Sequence, residues 1–288
     1  MKKLFLAILA TLSISSNSLA ISANDIRFHN EANDTTIINR ILASAAKAKL
    51  ATAQERIAFI ARQLIGTPYV AHTLEHQPEA LTINMSELDC TTFVETVMAL
   101  SCVIAEGRNS WRDFAHNLER LRYRNGTIDG YSSRLHYISD WILNNSHRGN
   151  FQEATSLIPN SDYQVKTLDF MTTHRESYSA LTDSAEYERL KNVEIGFRSH
   201  RFPYIKRERL SKKETINAIK EGDIVALTCK TQGLDVSHLG IIVKIDGTPH
   251  LLHASSKAKT VLIDQLPLFD YLNRSRSLTG IRVIRFND

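Results

Sequence analysis

Residues 221–229 read Glu-Gly-Asp-Ile-Val-Ala-Leu-Thr-Cys, and at this stretch the chain changes from helical to strand patterns. Short apolar runs follow it, and the dipeptide Asp246-Gly247 between two of them is typical of a hairpin turn. The predicted strands are residues 224–229, 238–245, 249–253, 261–263 and 281–286. Helices that precede a series of hairpin-linked strands indicate an α+β fold with an antiparallel sheet, and they argue against a parallel βαβ arrangement.

Upstream of this stretch, apolar residues recur with helical spacing. One helical pattern runs through residues 41–65 and is ended by Gly66 and Pro68, because glycine terminates helices and proline cannot extend them. A second helix is predicted to begin near Asp89, and two more over 111–121 and 134–143. The region 108–220 is mixed in pattern, and we predict a large helical and loop insertion there.

The first 20 residues have the pattern of a secretory signal peptide. Lys2 and Lys3 precede an apolar run over 4–12, and Ser18-Leu19-Ala20 ends the segment. We therefore expect cleavage after Ala20, export to the bacterial periplasm or beyond it, and one mature domain over 21–288. A membrane span needs about 20 apolar residues, so none is expected.

Composition narrows the possible functions. The chain has 288 residues, of which 43% are hydrophobic, as is typical of globular proteins. Its net charge of +4 is too small to indicate a nucleic-acid partner. An odd number of cysteines, Cys90, Cys102 and Cys229, leaves at least one thiol free and excludes a disulfide framework. Cys102 and Cys229 either pair with each other or are both buried thiols.

Cys90 is the candidate nucleophile. Residues 86–98 read Ser-Glu-Leu-Asp-Cys-Thr-Thr-Phe-Val-Glu-Thr-Val-Met, which places this thiol at the start of an apolar-striped helix. We expect a capping box from Thr92 to Glu95 and a helix end at Gly107. The positive end of a helix dipole lowers the pKa of a thiol and favours the reactive thiolate. The alternative is a buried structural cysteine, which is common in proteins.

Two histidines can complete a catalytic group with this thiol. A cysteine nucleophile needs a base, and the base needs a third group that orients it. His238 and His253 flank the predicted hairpin at similar distances from its turn, so their imidazoles can lie side by side. We assign His238 as the base and His253 as its orienting partner, although either one alone could be a structural histidine.

Several stretches together resemble the papain-like, NlpC-type peptidoglycan hydrolases. They are Gly66-Thr67-Pro68-Tyr69, Leu88-Asp89-Cys90-Thr91-Thr92, and residues 221–225, 237–241 and 252–255. The resemblance implies a helix-borne cysteine packed on an antiparallel sheet, with Cys90, His238 and His253 as nucleophile, base and orienting residue. It also implies that Tyr69 lies beside the thiol, where its hydroxyl can stabilise an oxyanion.

The chain departs from the commonest members of that family. Thr-Thr follows the cysteine, and about 147 residues separate Cys90 from His238. These features resemble a branch whose members act as N-acetylmuramoyl-L-alanine amidases on soluble anhydro-muropeptides, and the resemblance covers about residues 50–286. It implies a muropeptide partner that is bound through the insertion. The predicted substrate-binding residues are Arg134, His136, Tyr137, Tyr131 and Trp141, together with nearby arginines at 120, 122 and 124 that can pair with carboxylates.

Four other functions were weighed against this one. An endopeptidase of the same family would cut γ-D-Glu-diaminopimelate, and a wall-binding protein could keep the fold without catalysis. The H-x-x-E-H pattern over 72–76 suggests an inverted zinc peptidase, but Gly66, Pro68 and Pro78 leave no room for its helix. A zinc site from Cys90, His238 and His253 lacks a metal-binding sequence frame. We therefore predict no metal and no cofactor, and the sequence leaves the oligomeric state open.

Overall fold

The computed structural model describes residues 26–286, so the predicted signal peptide lies outside the described residues. The helices are α1 Glu31–Lys47, α2 Ala53–Gln63, α3 Cys90–Ala105, α4 Trp111–Arg122, α5 Ile138–His147, α6 Phe170–Thr173, α7 Ser184–Gly196, α8 Lys213–Ala218 and α9 Leu268–Asn273. The strands are β1 Ile26–Phe28, β2 Leu81–Ile83, β3 Gln152–Glu153, β4 Asp162–Lys166, β5 His200–Lys206, β6 Ile224–Cys229, β7 Val236–Ile245, β8 Thr248–Ser255, β9 Thr260–Pro267 and β10 Leu278–Arg285.

The main sheet has the order β4-β5-β10-β6-β7-β8-β9, with β3 paired to β10, and every pairing in it is antiparallel. Strands β1 and β2 form a separate two-stranded parallel pair. Helices α1 to α4 pack on one face of the main sheet around a large apolar core. Helix α9 and the end of α8 cover a second apolar cluster on the other face. The α+β prediction with an antiparallel sheet is therefore confirmed.

The five predicted strands are all present, most of them longer than expected. Asp246 and Gly247 have φ of 49° and 79° and form the predicted hairpin turn between β7 and β8. Glycine fits such a turn because it adopts positive φ without strain. The turn fixes which residues of the two strands lie near each other, and it thereby positions the candidate site.

Two helix predictions needed correction. The pattern over 41–65 is divided between α1 and α2, because Thr52 starts a new helix through a reciprocal capping box with Glu55. Helix α5 begins at Ile138 instead of residue 134. Residues 131–133 form a 3-10 turn, and the backbone of Arg134 is extended, so the helix cannot begin there.

The insertion over 108–220 is not only helices and loops. It contributes β4 and β5, which extend one end of the main sheet, and it has an apolar cluster of its own around Leu168 and Leu181. Strand β4 reads Asp-Tyr-Gln-Val-Lys and β5 contains Pro203, so neither has the apolar pattern of a central strand. Both features are typical of strands near a sheet edge.

Among residues 26–286, no helix has both the length and the apolar character that crossing a membrane requires.

Candidate active site

Cys90 is the first residue of α3, as predicted, but the residue that caps the helix is Asp89. The carboxylate of Asp89 accepts the backbone N–H groups of Thr91 and Thr92 at 3.0 and 2.8 Å. The Thr92 hydroxyl in turn accepts the Asp89 N–H at 2.9 Å, which makes the capping box Asp89–Thr92 instead of Thr92–Glu95. Glu95 is buried and pairs with Arg122 at 2.7 Å.

The electrostatic environment of the thiol also differs from expectation. Burial and the neighbouring Asp89 carboxylate raise the pKa of Cys90 to about 11, although hydrogen bonds from the Leu239 backbone and the Thr91 side chain oppose this shift. The helix N-terminus therefore does not yield a resting thiolate, because the acidic cap offsets it. Cys90 is a neutral thiol until a base removes its proton.

Strand β7 contacts the thiol and also carries the predicted base. The Leu239 backbone hydrogen-bonds to the sulfur, and His238 is the residue next to it in the chain. Nε2 of His238 lies 2.6 Å from Nδ1 of His253, with the two rings nearly perpendicular. Burial lowers the pKa of His238 to about 3 and that of His253 to about 4, so both are neutral at pH 7. The bond to His253 leaves Nδ1 of His238 as the nitrogen that can accept a proton.

Tyr69 is held beside the thiol by backbone pairing on two sides. Its segment bridges to Leu88 just before α3, and the Tyr69 N–H donates to the Lys259 carbonyl at 3.0 Å. Burial and the nearby Cys90 and Asp89 raise the pKa of Tyr69, so its hydroxyl keeps its proton and can donate a hydrogen bond. The structure thus places Tyr69 near Cys90, and it pairs His238 with His253 on neighbouring strands, one of which contacts this thiol.

A cavity of about 390 Å³ opens beside the two histidines. Asp264 and Tyr271 lie within its lining near His253, and the exposed Lys257 and Arg274 add two positive charges. Neither Lys257 nor Arg274 forms an ion pair with any residue of 26–286 that the structure describes. All lining residues belong to 227–278, so the insertion over 108–220 contributes no residue to the lining of this cavity.

The sequence did not single out four of these lining residues: Lys257, Asp264, Tyr271 and Arg274. The Tyr271 ring packs edge-on against His253 at 5.4 Å, and burial raises the pKa of Tyr271 to about 12. Their distance in sequence from the catalytic motifs did not indicate a role in the site. The pairing of β9 with β8 brings β9, and α9 that follows it, to the cavity. The one available signal is that β9 follows the His253 strand directly in the chain.

The predicted substrate-binding arginine is engaged within the protein. Arg134 is buried, and its guanidinium pairs with Glu75 at 2.8 Å and Glu79 at 3.3 Å. His136 bonds the Tyr131 carbonyl through Nε2 at 2.9 Å, and burial lowers its pKa to about 3. The Arg134 ion pairs hold the segment that carries Glu75 and Glu79, and the His136 bond stays within its own segment, so both side chains are engaged inside the protein. The arginines at 120, 122 and 124 likewise have acidic partners.

The three aromatic residues predicted to stack on sugars are core residues. Trp141 is 1% exposed and packs against Phe151, while Tyr131 and Tyr137 are each 2% exposed. The hydroxyl of Tyr137 donates to buried Glu194 at 2.6 Å. A ring buried on both faces offers no surface to a sugar, and their positions therefore contradict the predicted stacking role.

The remaining sequence candidates lie apart from the thiol–histidine cluster. Residues 72–76 form no helix, and Glu75 pairs with Arg134, so the H-x-x-E-H pattern lacks the frame of a zinc peptidase. Cys102 and Cys229 are both free thiols in the structure, and only Cys229 is fully buried. Within residues 26–286, no three His, Cys, Asp or Glu side chains are arranged to hold a metal ion.

The α+β fold thus carries a thiol at a helix start, a histidine pair on neighbouring strands and a cavity beside that pair. Comparison with known proteins gives the class. The chain is 38% identical to an N-acetylmuramoyl-L-alanine amidase from Bacteroides uniformis whose crystal structure has a TM-score of 0.77, with 83% of this chain and 100% of that chain covered. It is also 43% identical to a Bacteroides fragilis protein provisionally described as a xylanase, with a TM-score of 0.73 over 78% of this chain and 98% of the other.

A Legionella pneumophila protein shares the fold at 24% identity, with a TM-score of 0.69 and coverage of 88% and 95%. No curated protein sequence matches the chain. The AmiA-like family, described as N-acetylmuramoyl-L-alanine amidase-like, matches residues 59–281, and the chain belongs to this family. Membership supports an amidase-type peptidoglycan hydrolase, which agrees with the activity implied by the sequence resemblance.

Proposed function

We propose that this protein is a papain-like, NlpC-type cysteine amidase that hydrolyses the N-acetylmuramoyl-L-alanine bond of soluble anhydro-muropeptides. The observation that carries the proposal is the 2.6 Å contact between His238 and His253, next to a thiol held by the Leu239 backbone. Family membership supports the amidase activity. The cysteine mechanism and the anhydro-sugar substrate go beyond that membership and rest on the site and on the sequence resemblance.

The reaction begins from a neutral thiol and a neutral imidazole. The sulfur of Cys90 attacks the lactyl carbonyl carbon of muramic acid as the thiol proton moves to Nδ1 of His238. A C–S bond forms and the carbonyl π bond breaks, which places negative charge on the oxygen. The Cys90 N–H, at the first position of α3, and the Tyr69 hydroxyl can donate to this oxyanion.

The intermediate then releases the peptide. The C–N bond breaks, and protonated His238 gives its proton to the departing amine of L-Ala. The acyl group remains on Cys90 as a thioester. Water next attacks this carbonyl and gives a proton to His238. The C–S bond then breaks to free the lactyl carboxylic acid, and protonated His238 returns its proton to the Cys90 sulfur.

The positive charges that line the cavity favour a substrate with free carboxylates. Stem peptides carry free carboxylates, and Lys257 and Arg274 supply two positive charges that have no acidic partner within the described residues. We propose these two residues as substrate contacts in place of Arg134. Glycosidases need a pair of carboxylic acids beside the scissile bond, and Asp264 is the only acid that lines this cavity in the described chain, so the site favours amide chemistry over xylan hydrolysis.

Hydrolysis in ¹⁸O-labelled water tests the bond that is cut. The mature protein is incubated with a purified anhydro-disaccharide tetrapeptide, and the products are analysed by mass spectrometry. The proposal predicts one ¹⁸O atom in the lactyl carboxylate of the sugar and an unlabelled tetrapeptide. Label in a γ-D-Glu carboxylate would show an endopeptidase, and binding without cleavage would show a non-catalytic wall-binding protein.

The same proposal places the enzyme outside the cytoplasm. Its basis is the signal-peptide pattern over 1–20, which precedes the described residues. N-terminal sequencing of protein from a periplasmic fraction is expected to begin at Ile21. A cytoplasmic protein that keeps Met1 would contradict this location.

A further inference from the structure

The second nitrogen of His253 is unused in the structure. Its Nδ1 faces His238, but Nε2 has no hydrogen-bond partner among the described residues, although the residue is only 1% exposed. The carboxylate of Asp264 lies near this nitrogen, with its Oδ2 3.9 Å from Nε2. This separation is longer than a hydrogen bond and within the range of an ion pair.

The proton positions on the two imidazoles determine which tautomer of His253 the reaction requires. To act as a base, His238 must keep Nδ1 unprotonated, so its proton is on Nε2 and is donated to Nδ1 of His253. A neutral imidazole carries a single N–H, and His253 must therefore hold its own proton on Nε2. The other tautomer of His253 would set two N–H groups against each other across 2.6 Å.

We propose that Asp264 is a positioning residue that fixes His253 in its Nε2-protonated tautomer and stabilises the positive charge that forms on His238 during the reaction. This inference rests on the proposed function, because it concerns the same thiol–imidazole pair. Asp264 acts through His253 and does not touch the substrate carbonyl.

Asp264 is well placed for this role. Its Oδ1 accepts the Leu266 N–H at 2.9 Å, and its carbonyl bonds His250 at 3.0 Å, so both the side chain and the backbone are anchored while Oδ2 stays available. The Tyr271 ring packs against the His253 ring nearly at right angles, with the ring centroids 5.4 Å apart. Lys257 and Arg274 share the cavity, and neither forms an ion pair with Asp264.

The chemistry of the carboxylate explains the expected effect of its removal. The Asp264 carboxylate favours the His253 tautomer whose Nε2–H points at it. Its negative charge also stabilises the positive charge on protonated His238, which is hydrogen-bonded to His253. Groups that orient the second nitrogen of a metal-bound histidine are typically worth about 10- to 100-fold in activity, and we expect a similar range for a group that orients His253. The loss is expected in kcat, with KM changing by less than about 3-fold, because Asp264 acts on the base and not on binding.

The test compares Asp264→Asn and Asp264→Ala with Asp270→Asn, which removes an exposed carboxylate nearby on α9. We expect kcat to fall about 10-fold in Asp264→Asn, which keeps an acceptor but loses the charge, and about 100-fold in Asp264→Ala. The iodoacetamide alkylation rate of Cys90 at pH 7 is expected to fall in the same order. Asp270→Asn is expected to match the wild type.

A spectroscopic readout separates positioning from a general structural role. In ¹⁵N-histidine NMR spectra, wild-type His253 is expected to show a protonated Nε2 and an unprotonated Nδ1, and Asp264→Ala is expected to show mixed tautomers. If Asp264→Ala does not fold, the isosteric Asp264→Asn variant supplies the kinetic comparison. Wild-type kcat and alkylation in the folded Asp264 variants, together with an inactive Cys90→Ala, would overturn this inference alone. An active Cys90→Ala would instead overturn the proposed function.

Discussion

Nε2 of His238 and Nδ1 of His253 lie 2.6 Å apart on neighbouring strands that a two-residue turn connects. The pairing Ile241↔Leu252 sets the register, and its continuation places His253 opposite Gly240 instead of opposite His238. The two imidazoles are therefore diagonal neighbours on one face of the sheet. Gly240, which lies opposite His253, has no side chain that could separate them. This geometry makes the histidine pair a single proton-handling unit.

Removal of the His238 imidazole and removal of the His253 imidazole are expected to lower turnover by different amounts. His238→Ala removes the proposed base and should reduce kcat by at least about 100-fold. His253→Ala leaves the base in place, but the His238 ring is no longer held in one orientation and one tautomer. We expect kcat to fall by about 10- to 100-fold. His147→Ala, at an exposed position on α5, is the control. Equal activity of His238→Ala and His147→Ala would contradict the assigned base.

The histidine pair also predicts how stability depends on pH. Burial lowers the pKa of His238 to about 3 and that of His253 to about 4, whereas both are about 6.5 in the unfolded chain. As pH falls below about 6.5, the unfolded state binds protons that the folded state excludes. The free energy of unfolding therefore decreases toward pH 4, by up to about 1.4 kcal/mol per pH unit for each histidine.

Urea unfolding at pH 7 and pH 5 measures this effect. The double variant His238→Gln/His253→Gln is expected to lose less free energy of unfolding between the two pH values than the wild type loses. Other titrating groups, including His136, are common to both proteins and cancel in the comparison. An identical loss in the two proteins would show that these histidines are not buried in their neutral forms.

Asp89 has two opposed effects that substitution can separate. Its carboxylate caps α3 and also raises the pKa of the Cys90 thiol. Asp89→Asn keeps a good capping side chain and removes the charge, so we expect stability within about 0.5 kcal/mol of the wild type and faster alkylation of Cys90 at pH 7. Asp89→Ala should also alkylate faster but lose about 1 kcal/mol. Slower alkylation in Asp89→Asn would contradict the electrostatic account.

Charge removal at the cavity rim tests the substrate contacts. Lys257→Gln combined with Arg274→Gln is expected to raise KM for an anhydro-muropeptide about 3- to 10-fold and to leave kcat nearly unchanged, because exposed ion pairs contribute modestly to binding. The matched control is Lys213→Gln with Arg198→Gln, which removes the same charge at exposed positions on other parts of the surface. A similar rise in KM in the control would mean that net charge alone attracts the substrate.

The sequence predicted the parts of the site that depend on local patterns. The position of Cys90 at a helix start, the strand order from Ile224 onward and the hairpin that joins the histidine strands all follow from short-range signals. The pKa of the thiol could not be predicted from its helix position, because the cap turned out to be an acid. Which residue caps a helix depends on a single backbone conformation that periodicity does not reveal.

The insertion was the least predictable region for a different physical reason. Trp141 and Arg134 are residue types that can either bind ligands or fill a core, and only tertiary packing decides between the two. Glu75 and Glu79, which form ion pairs with Arg134, lie 59 and 55 residues before it in the sequence (134 − 75 and 134 − 79). Asp264 and Arg274 were missed because strand pairing, and not sequence proximity, brings them to the cavity.

The most direct measurement compares peptide release by the mature wild type and by Cys90→Ala. Each protein is incubated with a purified anhydro-disaccharide tetrapeptide, and mass spectrometry quantifies the free tetrapeptide and the peptide-free disaccharide. Circular dichroism confirms that the variant is folded. The account predicts both products from the wild type and neither from the variant. Release of tetrapeptide by folded Cys90→Ala at a rate near that of the wild type would contradict the assignment of Cys90 as the nucleophile.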